Sequence, residues 1–257
     1  MNTRLDLSSS GISLFKSCRR AWELKYIYNV IPLETSEALE TGASYHEMIE
    51  SLHLTHELPA LETKEAAMVW AYSKYIAQDI PEFEPEVWFE YKLGHGKHLK
   101  GRFDGLTIDK KAIIEHKTTS LSPDEYLYNL QWNEQIILYF LASGCKKAYY
   151  TICRKPTIRQ KQNETDKEFA ERCFAWYDED TDDKIRLAQI ECAEDEVEEY
   201  RRNLIMMFKE ISGCIRSGNF YKNPSNCTMY GRRCEYSQIC HNYNPEENYI
   251  GFGRRAQ

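Results

Sequence analysis

Two short segments carry the chemistry of this chain: GRFDG over residues 101–105 and IIEHKTT over residues 113–119. Ten residues separate Asp104 from Glu115, and Lys117 follows Glu115 by two. If both segments are strands, alternation puts Glu115 and Lys117 on one face and turns His116 to the other. A hairpin-type pairing then sets Asp104 beside Glu115, so that two carboxylates and an ammonium converge. Carboxylates buried together are costly unless a cation neutralises them. Oxygen ligands of this kind suit Mg²⁺ or Mn²⁺, which would polarise a phosphate and lower the pKa of a bound water. Lys117 would orient that water or offset charge developing on the phosphate. The same spacing also arises on solvated strand edges. The adjoining Ile113 and Ile114 argue for a packed strand instead, and Gly101 and Gly105 are expected to let a ligand approach the backbone.

Two upstream and downstream segments add to the set. His46, in GASYHEMIE, offers an imidazole ligand from a helix, although a lone helical histidine is more often structural. HEMIE is not a zinc-protease motif, because Glu50 stands where a second histidine would be required. Gln135 and Tyr139 in QIILY lie four residues apart and share a helix face. They are expected beside the strand that carries Lys117.

The elements that position these residues follow from pattern. Ser8 to Ser10 offer caps for a helix over about 11–28, with Leu14, Phe15, Cys18 and Trp22 on one side. Further helices are predicted over about 38–56 and 64–78. EVWFEYKL, HLKGRFDGLTI and KAIIEHKTT read as three consecutive strands with tight turns, an antiparallel meander. One long helix is predicted from Ser122-Pro123 to about Ser143, then a strand in KAYYTICRK that returns beside the meander. The acidic stretch from Asn163 suggests a helix to Tyr177, a turn at 178–183 and a strand near 185–192. Asp195 to Ser217 is a clear amphipathic helix. Beyond Gly218 the chain looks loop-like, with Pro224 and Gly231.

The order GxxxH, D, ExK, QxxxY resembles the PD-(D/E)XK nuclease superfamily in its RecB-type exonuclease branch. That branch takes in nuclease domains of recombination helicase–nucleases (AddB-like), CRISPR-associated adaptation nucleases and phage exonucleases. The matching residues are Gly42 with His46, Asp104, Glu115 with Lys117, and Gln135 with Tyr139. Phe103 stands where the superfamily's name has proline. The resemblance covers about 7–155 and resumes at the C-terminal cysteines. It implies an α/β fold, a restriction-endonuclease-like core whose mixed central sheet is flanked by helices. It also implies a Mg²⁺- or Mn²⁺-dependent deoxyribonuclease, leaving a 5′-phosphate and a 3′-hydroxyl. By that resemblance His46, Asp104, Glu115 and the backbone carbonyl of His116 are metal ligands. Lys117 is the catalytic lysine, and Gln135 and Tyr139 organise the site or the DNA.

Nine cysteines without a secretory signal argue for reduced thiols or metal ligation. Cys227, Cys234 and Cys240 form C-x6-C-x5-C, with Cys18 far upstream. Zinc ribbons prefer paired C-x2-C knuckles, whereas four thiolates suit an iron–sulfur cubane. Several RecB-type nucleases look similar, with one cysteine before the core and three after it around a [4Fe–4S] cluster. Their usual first gap is two residues and here it is six, so Zn²⁺ or packed thiols stay open, and His241 is an alternative ligand. Cys145, Cys153, Cys173, Cys192 and Cys214 suit buried free thiols.

The chain of 257 residues can bury one substantial core. We expect a single nuclease domain over 1–217, with a helical part at 8–80, a catalytic core at 81–160 and a helical continuation at 161–217. A cysteine-cluster region over 218–257 would pack on the N-terminal helix. The net charge of −7 is concentrated between Glu164 and Glu199, a segment at −11, which leaves +4 elsewhere; charge therefore permits a DNA partner. No run approaches a membrane span and the N-terminus lacks a leader-like apolar stretch, so a cytoplasmic protein is expected. No phosphate loop of a helicase motor is present, so the enzyme is expected either to work alone or to be recruited by a partner, a helicase or a recombination or CRISPR-type protein. The favoured activity is an exonuclease on single-stranded DNA or DNA ends. The rivals are a non-catalytic DNA-binding or assembly subunit, a structure-specific endonuclease and an RNase.

Overall fold

The computed structural model describes residues 4–34, 36–130, 133–229, 232–245 and 247–254. It divides into two compact units. One holds residues 37–90 and 101–201, and the other holds residues up to 36, 91–100 and 202 onward.

In chain order the helices are α1 (Ser9–Ser17), α2 (Arg19–Tyr26), α3 (Glu37–Thr55), α4 (Lys64–Tyr75), α5 (Pro123–Leu130), α6 (Glu134–Ser143), α7 (Asp166–Glu179), α8 (Thr181–Lys184) and α9 (Glu194–Ser217). The main strands are β1 (Leu5–Leu7), β2 (Val30–Pro32), β3 (Phe83–Gly94), β4 (Lys97–Thr107), β5 (Ala112–Thr119), β6 (Lys147–Arg154) and β7 (Ile185–Glu191). Three short strands close the chain: β8 (Thr228–Met229), β9 (Arg232–Arg233) and β10 (Phe252–Arg254).

The first unit is built on a mixed sheet. β3 pairs with β4, β4 runs antiparallel to β5, β5 parallel to β6, and β6 antiparallel to β7. β5 is the central strand and is buried on both faces from Ala112 to His116, so the apolar Ala112, Ile113 and Ile114 are followed by the buried polar residues Glu115 and His116. Tyr45 and Ile49 of α3, Met68, Val69 and Tyr72 of α4, and Trp176 and Tyr177 of α7 pack with Cys153 and Ile185 of the sheet into one core. This is the helix-flanked mixed sheet expected from the sequence.

Two predicted helices are each interrupted. The helix expected over 11–28 breaks at Cys18, whose backbone is extended at φ −160° and ψ 117°. The side chain of Ser8 caps α1 by accepting from the amide of Gly11. The helix expected from Ser122 to Ser143 is α5 and α6. The amide of Gln135 donates to the side chain of Asn133, which restarts the helix, and Gln131 and Trp132 lie outside the described residues. The expected 178–183 turn contains α8, held by its Asp180 cap.

The other unit brings both chain ends together. β1 pairs in parallel with the first residues of β4, and β10 pairs antiparallel with β2. Ala21, Leu24 and Val30 pack with Tyr236 and Ile239, and the Tyr236 hydroxyl donates to the carbonyl of Val30. The tail read as loop thus carries β8, β9 and β10, strands too short for a period to show; Tyr230 and Gly231 lie outside the described residues. The buried residues Leu204, Phe208, Ile211 and Cys214 recur at helical spacing along α9. Among the described residues no helix is long and apolar enough to cross a membrane.

Candidate active site

The site is assembled from strand register. Gly105 lies opposite Ile114 and Leu106 opposite Ile113, so the next rung sets Asp104 against Glu115. The backbone N–H of His116 donates to Oδ2 of Asp104 at 2.8 Å, which fixes that carboxylate at the strand crossing. Glu115 is 1% exposed, and its Oε1 is ion-paired with the Lys117 ammonium two residues on, on the same face. Its second oxygen, Oε2, is buried with no hydrogen-bond partner. A buried carboxylate oxygen in that state carries a desolvation cost that a cation or a proton would offset.

α3 delivers the imidazole. A Cβ placed on Gly42 would sit 3.6 Å from the hydroxyl oxygen of Thr118, so the helix passes close to β5 there. One turn on, His46 Nδ1 lies 3.4 Å from Oδ1 of Asp104. α6 supplies the opposite wall. Lys117 Nζ donates to Oε1 of Gln135 at 3.2 Å, and the Gln135 amide donates to the Tyr139 hydroxyl at 2.8 Å. That hydroxyl donates in turn to the carbonyl of Arg102 at 3.1 Å, tying the helix back to β4. His46, Asp104, Glu115, Lys117, Gln135 and Tyr139 are therefore one connected cluster.

Electrostatics push its members apart. Burial works to raise the Asp104 carboxyl, but the hydrogen bond and charge of His46, with the charge of Lys117, outweigh it and hold that carboxyl well below the usual range. Burial, reinforced by the Asp104 charge, drives Glu115 upward despite Lys117. Burial opposes the charge on Lys117, yet Glu115 and Asp104 keep it above the ordinary lysine range. A site holding one carboxylate down and its neighbour up is short of positive charge.

The His116 side chain faces the other way, as alternation requires. It is buried against Tyr72 and Phe83, with Nδ1 2.6 Å from the hydroxyl oxygen of Thr151. Burial lowers its pKa to about 3, so the ring is neutral. It anchors the backbone that meets Asp104.

Glu86 was not foreseen. Ligand atoms of His46, Glu86 and Asp104 lie within 4.8 Å of one another, a group suited to a metal ion. Glu86 adopts a left-handed backbone at φ 56° inside β3 and is ion-paired with Arg102. That conformation costs on the order of 1–3 kcal/mol for a non-glycine residue and displaces Glu86 from plain alternation, which is why period alone did not single it out. The only signal was an acid beside Pro85 at the start of a strand. The donor set fits a hard divalent cation: two carboxylates and an imidazole within reach of one ion, a group that does not include Glu115.

The flanking glycines serve packing, and the ligand-approach expectation is corrected. A Cβ on Gly105 would come within 2.3 Å of the Phe83 ring and 3.0 Å of the Ile114 side chain, and one on Gly101 within 2.6 Å of the Phe89 ring. Aromatic rings occupy the space that the missing side chains leave.

The predicted cysteine ligands sit in the unit formed by the chain ends. Carbonyl oxygen of Ser17 accepts from the side chains of Asn223 and Asn226 at 2.8 and 2.7 Å, which holds the Cys227 segment to the residue before Cys18. The amide of Cys234 donates to the carbonyl of Cys227 at 2.9 Å. Burial raises the Cys234 thiol, and Cys18, Cys227 and Cys240 are all near enough to raise it further. None of the nine cysteines is in a disulfide. His241 Nδ1 lies 3.1 Å from Lys222 Nζ.

The sequence profile of the PD-(D/E)XK nuclease superfamily matches residues 58–241. Among solved structures, the chain is similar to a candidate exonuclease from Eubacterium rectale at 14% identity and TM-score 0.52, covering 95% of this chain and 90% of that one. It is also similar to an alkaline exonuclease from Laribacter hongkongensis (13% identity, TM-score 0.38, 83% and 93% covered). A phage-related exonuclease from Haemophilus somnus matches at 12% identity and TM-score 0.35, with 80% and 97% covered. No curated protein matches.

Proposed function

The chain belongs to the PD-(D/E)XK nuclease superfamily, and from that premise we propose that it is a metal-dependent deoxyribonuclease of the RecB-type branch. Its substrate is single-stranded DNA or DNA ends, cut as an exonuclease. One observation carries the reading: Glu115 is buried opposite Asp104 with an unpartnered oxygen, and an imidazole and an ammonium meet the pair. A non-catalytic assembly subunit has no use for that arrangement.

His46, Asp104, Glu115 and the carbonyl of His116 would hold the ion, with Glu86 joining from β3. A divalent cation there supplies Lewis acidity toward a phosphate oxygen and a bound water of lowered pKa. The chain's residues do the rest. Lys117, steadied by Glu115 and Gln135, directs its ammonium at the charge that develops on the scissile phosphate. Gln135 and Tyr139 keep α6 locked to β4, so Lys117 cannot swing away. Neutral His116 fixes the backbone without adding charge. Hydrolysis leaves a 5′-phosphate and a 3′-hydroxyl.

Cys18, Cys227, Cys234 and Cys240 are proposed to hold a [4Fe–4S] cluster. One cysteine before the core and three after it are the four thiolates a cubane takes, and Asn223 and Asn226 tie the Cys227 segment to the backbone just before Cys18. The nuclease domain is proposed to end near residue 217, with 218–257 as the cluster region, in a cytoplasmic protein that works alone or with a helicase, recombination or CRISPR-type partner.

The test is digestion of end-labelled single- and double-stranded DNA with Mg²⁺, Mn²⁺ or chelator. Metal-dependent loss of label from single strands or ends is expected. No cleavage of any DNA with either ion would overturn the reading.

A further inference from the structure

Trp88 is 75% exposed, whereas Trp22 and Trp176 are buried. It lies two residues after Glu86 on β3 and next to Phe89. Phe89 faces the rings of Phe103 and Tyr139, at centroid distances of 4.5 and 5.7 Å. Alternation therefore sends Trp88 to the other side of the strand. There the Arg102 guanidinium lies 5.4 Å from the indole centroid and is also ion-paired with Glu86. Glu86 belongs to the ligand group with His46 and Asp104. An exposed indole, a guanidinium and the cation-binding carboxylates thus follow one another without a break.

We propose that Trp88 and Arg102 bind the nucleotide flanking the scissile phosphate of single-stranded DNA, the indole stacking its base and the guanidinium meeting its phosphate; this rests on the nuclease reading above. An indole face left to water is costly, and base–aromatic stacking recovers that cost with little regard to sequence. Arg102 is half-exposed and its planar fork matches a phosphate while still stacking on the ring. A base inside a duplex is already stacked on both sides and paired, so the platform selects unpaired bases.

The test measures binding in chelator, where no strand is cut, using fluorescein-labelled oligo(dT), oligo(rU), an abasic oligonucleotide of equal length and a blunt duplex. Trp88→Ala should weaken oligo(dT) binding about tenfold and Trp88→Phe much less, and neither should alter binding to the abasic strand or the duplex. Oligo(dT) should also quench tryptophan fluorescence in the wild type and not in Trp88→Ala. Equal oligo(dT) binding by all three proteins overturns the proposal, as does an equal loss on the abasic strand. Oligo(rU) binding tighter than oligo(dT) overturns the assignment to DNA. If the wild type neither binds nor cuts any strand, the nuclease reading itself fails; if it cuts DNA while the variants bind like it, only the platform fails.

Discussion

The backbone amide of His116 donates to Oδ2 of Asp104 across the β4–β5 pair, so the acid on one strand is held by the residue between Glu115 and Lys117 on the next. That backbone hydrogen bond ties Asp104, Glu115 and Lys117 to strand register. A one-residue slip would turn Glu115 and Lys117 away and bring His116 in.

Loss of any member should therefore disable the whole. Asp104→Ala, Glu115→Gln and Lys117→Ala are each expected to lower the rate by at least about 100-fold, with combined variants little worse than single ones because the residues act as a unit. Circular dichroism should show the fold retained. Near-normal turnover by Lys117→Ala would falsify the mechanism.

Cation binding should stabilise the protein. Mn²⁺ is expected to raise the melting temperature of the wild type, because the ion binds a folded site absent from the unfolded chain. Glu115→Gln should melt no lower than the wild type in chelator, since it removes a charge buried beside Asp104, and should gain little from Mn²⁺. His46→Ala should shift the Mn²⁺ titration to higher concentration, more than it shifts Mg²⁺, because imidazole favours the softer ion. Equal metal response in all three proteins would place the ion elsewhere.

The four cysteines should carry metal together. Purified anaerobically, the protein is expected to be brown and to hold about four irons per chain, the stoichiometry of a cubane. Cys18→Ser or Cys234→Ser should lose that iron and melt lower, whereas Cys214→Ser, on α9, should keep it. One zinc per chain supports the rival, and absence of both metals leaves packed thiols.

Acid should expose a separate ion pair. Arg172 donates from Nε and from its terminal nitrogen to the two oxygens of Glu164, and the amide of Lys161 donates to the same carboxylate. The Arg172 hydrogen bond, then that amide, hold Glu164 at about 2 against an ordinary 4.5. A carboxyl depressed in the folded state contributes stability above pH 4.5 and loses it as the pH falls from there toward 2. Glu164→Gln should flatten that part of the acid-unfolding curve. An unchanged acid limb would show that the pair contributes nothing.

Gly105→Ala should cost on the order of 1–3 kcal/mol, since the added methyl must displace Phe83 and Ile114. Urea unfolding reads this directly. Activity at low temperature, where the variant is still folded, should survive better than stability.

What the sequence determined by itself was local. Alternation along IIEHKTT settled which way Glu115, His116 and Lys117 point, and helical spacing put Gln135 and Tyr139 on one face of α6. The family and its helix-flanked sheet were legible because D, ExK and QxxxY fall on elements whose periods are strong. Tertiary structure decided the rest. It decided that helix α3 passes close enough to β5 at Gly42 for His46 to reach Asp104. It also decided that the glycines of GRFDG make room for Phe83 and Phe89. Glu86 became a member of the site only through a left-handed backbone and a cross-strand contact with Arg102, neither of which leaves a period to read. Residue spacing fixes direction along one element, while distances between elements come from packing that no single segment encodes.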